Sequence, residues 1–203
     1  MTRRLSCQTL LFATHNQGKL EEMRELLMPG GIKVVSAKDY NLPEPEETED
    51  SFIGNARIKA HAAAQATGII ALSDDSGLCV DALNGAPGVY TADWAEGPDG
   101  RNFQRAMKKT HDALKSLNAV EPWSAQFRCV LVLAWPDGHD EVFEGSVEGR
   151  LVWPLRGVDG HGYDPMFVPG GEQRTFAEMP PSEKNSMSHR ARALSALISA
   201  CFT

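Results

Sequence analysis

The sequence predicts an α/β fold with a mixed central sheet and flanking helices. Three observations carry that expectation. Short apolar runs alternate with helical patterns through the first half of the chain, with no hairpin between them. Two long strand-like stretches around Pro136-Asp137-Gly138 then form a hairpin. A helical pattern closes the chain. The long hairpin strands suggest an elongated sheet that forks into two lobes around a cleft, a feature that periodicity does not force.

Taken in order, "TLLFAT" (9–14) reads as a buried strand and "NQGKLEEMRELLM" (16–28) as a helix, with Leu20, Met23 and Leu27 on one face. Pro29-Gly30-Gly31 stops it. "IKVVSA" is a second strand. Residues 37–50, "AKDYNLPEPEETED", are polar, acidic and carry two prolines, which predicts a loop that serves as a lid or rim. A helix is expected from Ser51 to Thr67, rich in alanine and ended by Gly68, with Asn55 and Lys59 on one face. "IIALSDD" is a third strand ending at Asp74-Asp75. Residues 99–118 form a helix with Phe103, Met107, Leu114 and Leu117 on one side. "SAQFRCVLVLAW" and "HDEVFEGSVEGRLV" are the hairpin strands, "HGYDPMFV" is a turn entering a short strand, and "SEKNSMSHRARALSALISACF" is one C-terminal helix.

A chain of 203 residues is ample for a core and suits one domain spanning 1–203. Apolar residues make up 42% and charged residues 23%, an ordinary globular composition. The formal net charge of −7 argues against nucleic acid or an anionic membrane as partner, though not against a small polyanion bound by a local cluster. No apolar run approaches the roughly 20 residues that span a bilayer. The broken N-terminal apolar stretch reads as a strand of a cytoplasmic protein rather than a signal peptide. Cys7, Cys79, Cys129 and Cys201 are widely spaced with no CxxC, so free thiols are expected.

Five clusters could carry chemistry. "ATHNQGK" lies at a strand-to-helix junction, where free N–H groups and the helix dipole suit a phosphate. It also reads as a plain N-terminal cap with an exposed lysine, and it is not a Walker loop. Glu44, Glu46, Glu47, Glu49 and Asp50 precede a helix, where acids are favoured in any case, or one of them binds Mg²⁺ through its carboxylate. "DDSG" reads as a polar turn or as acids facing a ligand at a strand end, with Asp74 and Asp75 on opposite faces. "GHGYDP" holds Tyr163 and Asp164 between glycines and a proline. "PSEKNSMSHRAR" puts Lys184, His189, Arg190 and Arg192 in the first turns of a helix, where the dipole disfavours cations.

Together these segments resemble one family, the inosine triphosphate pyrophosphatases (non-canonical purine nucleoside triphosphatases, Ham1-like). The resemblance runs through "FATHNQGKLEE", "SFIGNARIKAHAAAQATG", "ALSDDSGLCVDALNGAPGVYTADW" and "GHGYDPMFVPGG...TFAEMPPSEKNSMSHRARAL", and is weakest over residues 95–125. It implies Mg²⁺-dependent hydrolysis of ITP, dITP and XTP to the monophosphate and pyrophosphate, and a homodimer. By the same resemblance Thr14, His15, Asn16, Gln17, Gly18, Lys19 and Lys59 hold the triphosphate. Glu46, Asp75 and Asp74 lie on the metal side, Asp75 accepts the proton of the attacking water, and Ser76 is a possible substrate contact. His161, Gly162, Tyr163, Asp164, Lys184, His189 and Arg190 form the base pocket. Lysine and arginine only donate hydrogen bonds, which suits a 6-keto oxygen and opposes a 6-amino group. This chain departs from the family's usual "GFGYDP" by carrying His161 where a phenylalanine stacks on the purine. Rival readings are a Maf-like pyrophosphatase for other nucleotides, opposed by "SHR" and "GYDP", and a non-catalytic nucleotide-binding protein, opposed by Lys19, Glu46 and Asp75.

Overall fold

The computed structural model describes residues 2–5, 8–27 and 31–202. Cys7 and the Pro29-Gly30 part of the expected helix stop lie outside the described residues. Six strands form one mixed sheet in the order β2-β1-β3-β4-β5-β6: β1 (Thr9–Phe12), β2 (Lys33–Ser36), β3 (Ala71–Val80), β4 (Trp123–Ala134), β5 (Asp140–Leu151) and β6 (Phe167–Pro169). β1 is parallel to both β2 and β3, and β6 is antiparallel to β5. The helices are α1 (Gln17–Leu27), α2 (Phe52–Thr67), α3 (Phe103–Ser116), α4 (Pro181–Met187) and α5 (His189–Cys201).

The chain divides into two compact units. The first comprises residues 1–75, 129–145 and 190–203, and the second 76–128 and 146–189. Each has its own core. In the first, Leu20, Met23 and Leu27 of α1 pack with Leu10, Phe12, Leu72, Leu131, Leu133 and the Leu194/Leu197 stripe of α5. In the second, Leu78, Met107, Leu114, Phe127, Val147, Tyr163, Phe167 and Phe176 form the core. Burial of such side chains contributes on the order of 1.5–3 kcal/mol each, so both clusters can hold their surroundings rigid.

α2 follows local rules closely. Ser51 caps it, its hydroxyl accepting the Gly54 N–H at 3.1 Å. Gly68 ends it in the left-handed region at φ 69°, its N–H reaching the Ala64 carbonyl. Ala56, Ala60, Ala63 and Ala64 are buried, so small side chains bring the helix backbone close. The Ser73 hydroxyl donates to the Ala56 carbonyl and ties α2 to β3.

Four sequence expectations are corrected. β3 does not end at Asp74-Asp75 but runs on to Val80, so "DDSG" is the middle of a ten-residue strand and not a turn. Leu117 is not on the buried side of α3; it is the C-terminal cap residue and is 61% exposed. The expected single C-terminal helix is two, because Ser188 adopts extended backbone (φ −66°, ψ 156°) between α4 and α5. The 37–50 loop also contains a short 3₁₀ turn at Lys38–Tyr40.

Candidate active site

In the first unit the chemistry gathers on β3. Asp74 and Asp75 are 3% and 6% exposed, so both carboxylates are removed from bulk water and need partners. A strand turns successive side chains to opposite faces, and the two acids accordingly meet different cations. Asp74 pairs with Lys19 of α1, and its other oxygen accepts from Arg190 Nε of α5 at 3.0 Å and from the Cys129 thiol at 3.5 Å. Arg190 also pairs with Glu22, one turn beyond Lys19 on α1. Asp75 Oδ1 lies 3.4 Å from Lys59 Nζ.

Lys59 is the centre of this arrangement. Its ammonium donates to the Asp74 carbonyl at 2.8 Å and to Glu47 at 2.7 Å besides facing Asp75. Asn55, one turn earlier on α2, accepts the Glu49 N–H at 3.0 Å. The shared face of Asn55 and Lys59 thus grips the acidic loop. His15 contributes from the other side, its Nε2 lying 2.9 Å from the Leu42 carbonyl. At the start of α1, Asn16 Oδ1 accepts the Lys19 N–H and Thr14 Oγ1 accepts the Asn16 N–H, so the "THNQGK" junction is an N-terminal cap. Gln17 pairs with Glu21 on the exposed side of α1.

The electrostatics separate the two acids. Burial pushes the Asp74 carboxyl upward, but Lys19, Arg190 and Lys59 together outweigh it and hold the group well below the usual carboxylate range. For Asp75, burial dominates, the nearby Glu47 and Asp74 add to it, and Lys59 and Lys19 only partly oppose it. The carboxyl is pushed up to about 6. Burial depresses the Lys59 ammonium, yet Asp75, Glu47 and Asp74 more than offset this and raise it above the ordinary lysine value.

Asp75 Oδ2 is buried and has no hydrogen-bond partner within the protein. With Glu47 on the same lysine, this leaves oxygen donors of the kind a hard cation takes. Among the described residues no group of three or more His, Cys, Asp and Glu is arranged to hold a metal. Glu46, the acid expected from the resemblance, is exposed on the loop, and it is Glu47, its neighbour, that reaches Lys59.

In the second unit a separate cluster surrounds Asp164, which follows the Gly160-His161-Gly162 turn. Lys184 Nζ of α4 lies 2.6 Å from Asp164 Oδ2, which also accepts the His161 N–H at 2.6 Å. His161 itself is exposed. Tyr163 is 1% exposed and packs edge-on to Phe103, so its ring supports the turn from within the core. His189 stacks on Phe127 with centroids 5.0 Å apart, and Lys184 lies over Phe176 at 5.8 Å. Ser76 follows Asp75 along β3 and is half-buried.

Sequence reasoning missed Glu22 and the commitment of Arg190 to Asp74. The available signal was the three-residue spacing from Lys19 to Glu22, which places both on one helix face. It gave no hint of the partner on α5.

A sequence model of the Ham1 family matches residues 10–200. A dITP/XTP pyrophosphatase of Ruegeria pomeroyi is 67% identical over 202 residues, covering 100% of this chain and 99% of the relative. One from Zymomonas mobilis is 53% identical, covering 98% and 94%. Among solved structures, a HAM1 protein from Coxiella burnetii superposes with a TM-score of 0.88 at 39% identity, covering 95% of this chain and 98% of that one. The cation-and-carboxylate cluster on β3 is thus carried by a chain that belongs to the Ham1 family.

Proposed function

We propose that this protein hydrolyses non-canonical purine nucleoside triphosphates (ITP, dITP and XTP) to the monophosphate and pyrophosphate. The observation that carries this reading is the cluster on β3. Two lysines from two helices converge on two consecutive buried acids, one of which keeps an unpartnered oxygen. The names of the relatives, dITP/XTP pyrophosphatases matched over nearly their whole length, support the substrate class.

Lys19, at the N-terminus of α1, and Lys59 attract the polyphosphate and stabilise charge on departing pyrophosphate. Asp75 Oδ2 is the proton acceptor for the attacking water. That oxygen is buried and has no hydrogen-bond partner within the protein, so it is open to a proton from water. Asp74 holds Lys19 in place. Asp75 and Glu47, or Glu46 after a small loop adjustment, would hold Mg²⁺. A bound Mg²⁺ supplies Lewis-acid polarisation of phosphoryl oxygens and a lower pKa for coordinated water. In the second unit, His161 stacks on the base and Lys184 donates to its 6-keto oxygen.

No helix among the described residues is long and apolar enough to cross a membrane. Nucleic acid and membrane are not partners in this reading. The cytoplasm as compartment and the homodimer expected from the resemblance belong to the same proposal.

The test is pyrophosphate release from ITP, XTP, dTTP, GTP and ATP, with Mg²⁺ or EDTA. Release from ITP and XTP that stops in EDTA is expected. Equal rates on ATP would overturn the selectivity, and near wild-type activity in Asp75→Asn would overturn the mechanism.

A further inference from the structure

We infer that Asp164 is a positioning residue. Its carboxylate latches the Gly160-His161-Gly162 turn to Lys184 and aims the lysine ammonium at the base, without touching nucleotide itself. This rests on the functional reading above and narrows it: Asp164, expected to line the base pocket, has its carboxylate committed inside the protein.

Asp164 is 3% exposed. One oxygen, Oδ2, receives both the His161 N–H and the Lys184 ammonium, each at 2.6 Å. Short charge-assisted bonds of this kind are the strong ones. A ligand that used this oxygen would have to break an ion pair whose partners are 4% and 17% exposed in their side chains, leaving a poorly hydrated charge behind. The backbone is built around the same atom. Gly160 has φ +79°, and a Cβ there would run into Asp164 Oδ2 and lie 2.9 Å from its Cγ. The missing side chain at Gly160 is the space into which the carboxylate folds.

The consequence is directional. An ammonium has three donors. Asp164 occupies one, and the ammonium itself lies over the Phe176 ring at 5.8 Å from its centroid, so the directions left to the remaining donors are restricted. A fixed donor favours a keto oxygen and opposes an amino group. A free lysine could swing away from the mismatch and would discriminate less. The same latch holds the His161 backbone, so the stacking side chain and the donor are set by one carboxylate.

The experiment compares wild type, Asp164→Asn, Gly160→Ala, Lys184→Gln and the Asp164→Asn/Lys184→Gln double variant. The readouts are KM and kcat for ITP, the ITP-to-ATP ratio of kcat/KM, and thermal melting. Asp164→Asn is expected to raise KM for ITP about tenfold, with kcat changed less than about threefold, and to lower the ITP-to-ATP ratio about tenfold. Gly160→Ala should reproduce this with Asp164 still present. Because Asp164 acts through Lys184, the double variant should match Lys184→Gln within about twofold. Losses that multiply overturn the latch. So does a fall in kcat and melting temperature with an unchanged ITP-to-ATP ratio, which is what a merely structural residue gives. Should Asp164→Asn fail to fold, Gly160→Ala and Lys184→Gln decide alone, and differing selectivity between them overturns the proposal. If wild type does not hydrolyse ITP, the functional reading and the latch fall together; if it does, an unaltered Asp164→Asn removes the latch alone.

Discussion

Asp74 and Asp75 are consecutive residues of one strand, yet the carboxylate of the first closes on Lys19 and Arg190 while that of the second faces Lys59. Alternation along the strand therefore gives two adjacent acids, chemically identical, different electrostatic fates and different jobs.

Asp74 carries the larger structural burden. Asp74→Asn removes the carboxylate shared by Lys19 and buried Arg190, Glu22 remaining on Arg190, which should cost about 3 kcal/mol in chemical denaturation. It also fixes an acid dependence. The folded carboxyl titrates below its unfolded value, so its contribution is full above about pH 4 and is lost as pH falls through the lower folded value. Unfolding curves against pH should show a steep acid limb in wild type and a shallower one in the variant.

Asp75 has the opposite sign. Its folded carboxyl sits at about 6, above the unfolded value of about 3.9, so the fold binds more protons than the unfolded chain between those values. Stability therefore falls as pH rises through this window, and the full cost is present above about 6. In EDTA, Asp75→Asn should melt at least about 2 °C higher than wild type at pH 8, with the gap closing near pH 4, while ITP hydrolysis drops by about a hundredfold or more. A variant that is inactive but no more stable at pH 8 would contradict the burial cost assigned to this acid.

Magnesium should be visible without turnover. At about a hundred times its dissociation constant a ligand adds about 2.7 kcal/mol to the folded state, or roughly 5–10 °C for a chain of this size. Wild type should show that gain on adding Mg²⁺ and Asp75→Asn should not. Comparing Glu46→Gln with Glu47→Gln in the same melting assay identifies which loop acid holds the ion. The contact of Glu47 with Lys59 favours Glu47.

His161 is exposed and held by its backbone, so its side chain can be exchanged without disturbing the turn. His161→Phe should retain activity with KM for ITP preserved or lowered, since phenylalanine offers more apolar stacking area and no charge. A loss of more than about tenfold in kcat/KM speaks against stacking at this position.

Much of this protein follows from its sequence because the deciding interactions are local. Ser51 and Gly68 bracket α2 through bonds within one helical turn, and the Asn55/Lys59 face follows from helical spacing alone. The alternation that splits Asp74 from Asp75 needs only strand geometry. The tertiary structure decided what depends on partners distant in the chain. β3 continues through Asp74-Asp75 because Lys19, Lys59 and Arg190, from three different helices, neutralise acids that would otherwise stay at a solvated strand end. The acidic loop offers two adjacent glutamates, and only the reach of Lys59 selects Glu47. Arg190 is separated from Asp74 by 116 residues, a pairing that no spacing rule predicts. Helices, caps and side-chain alternation are set within a few residues, whereas the pairing of buried charges is set by packing across the whole chain.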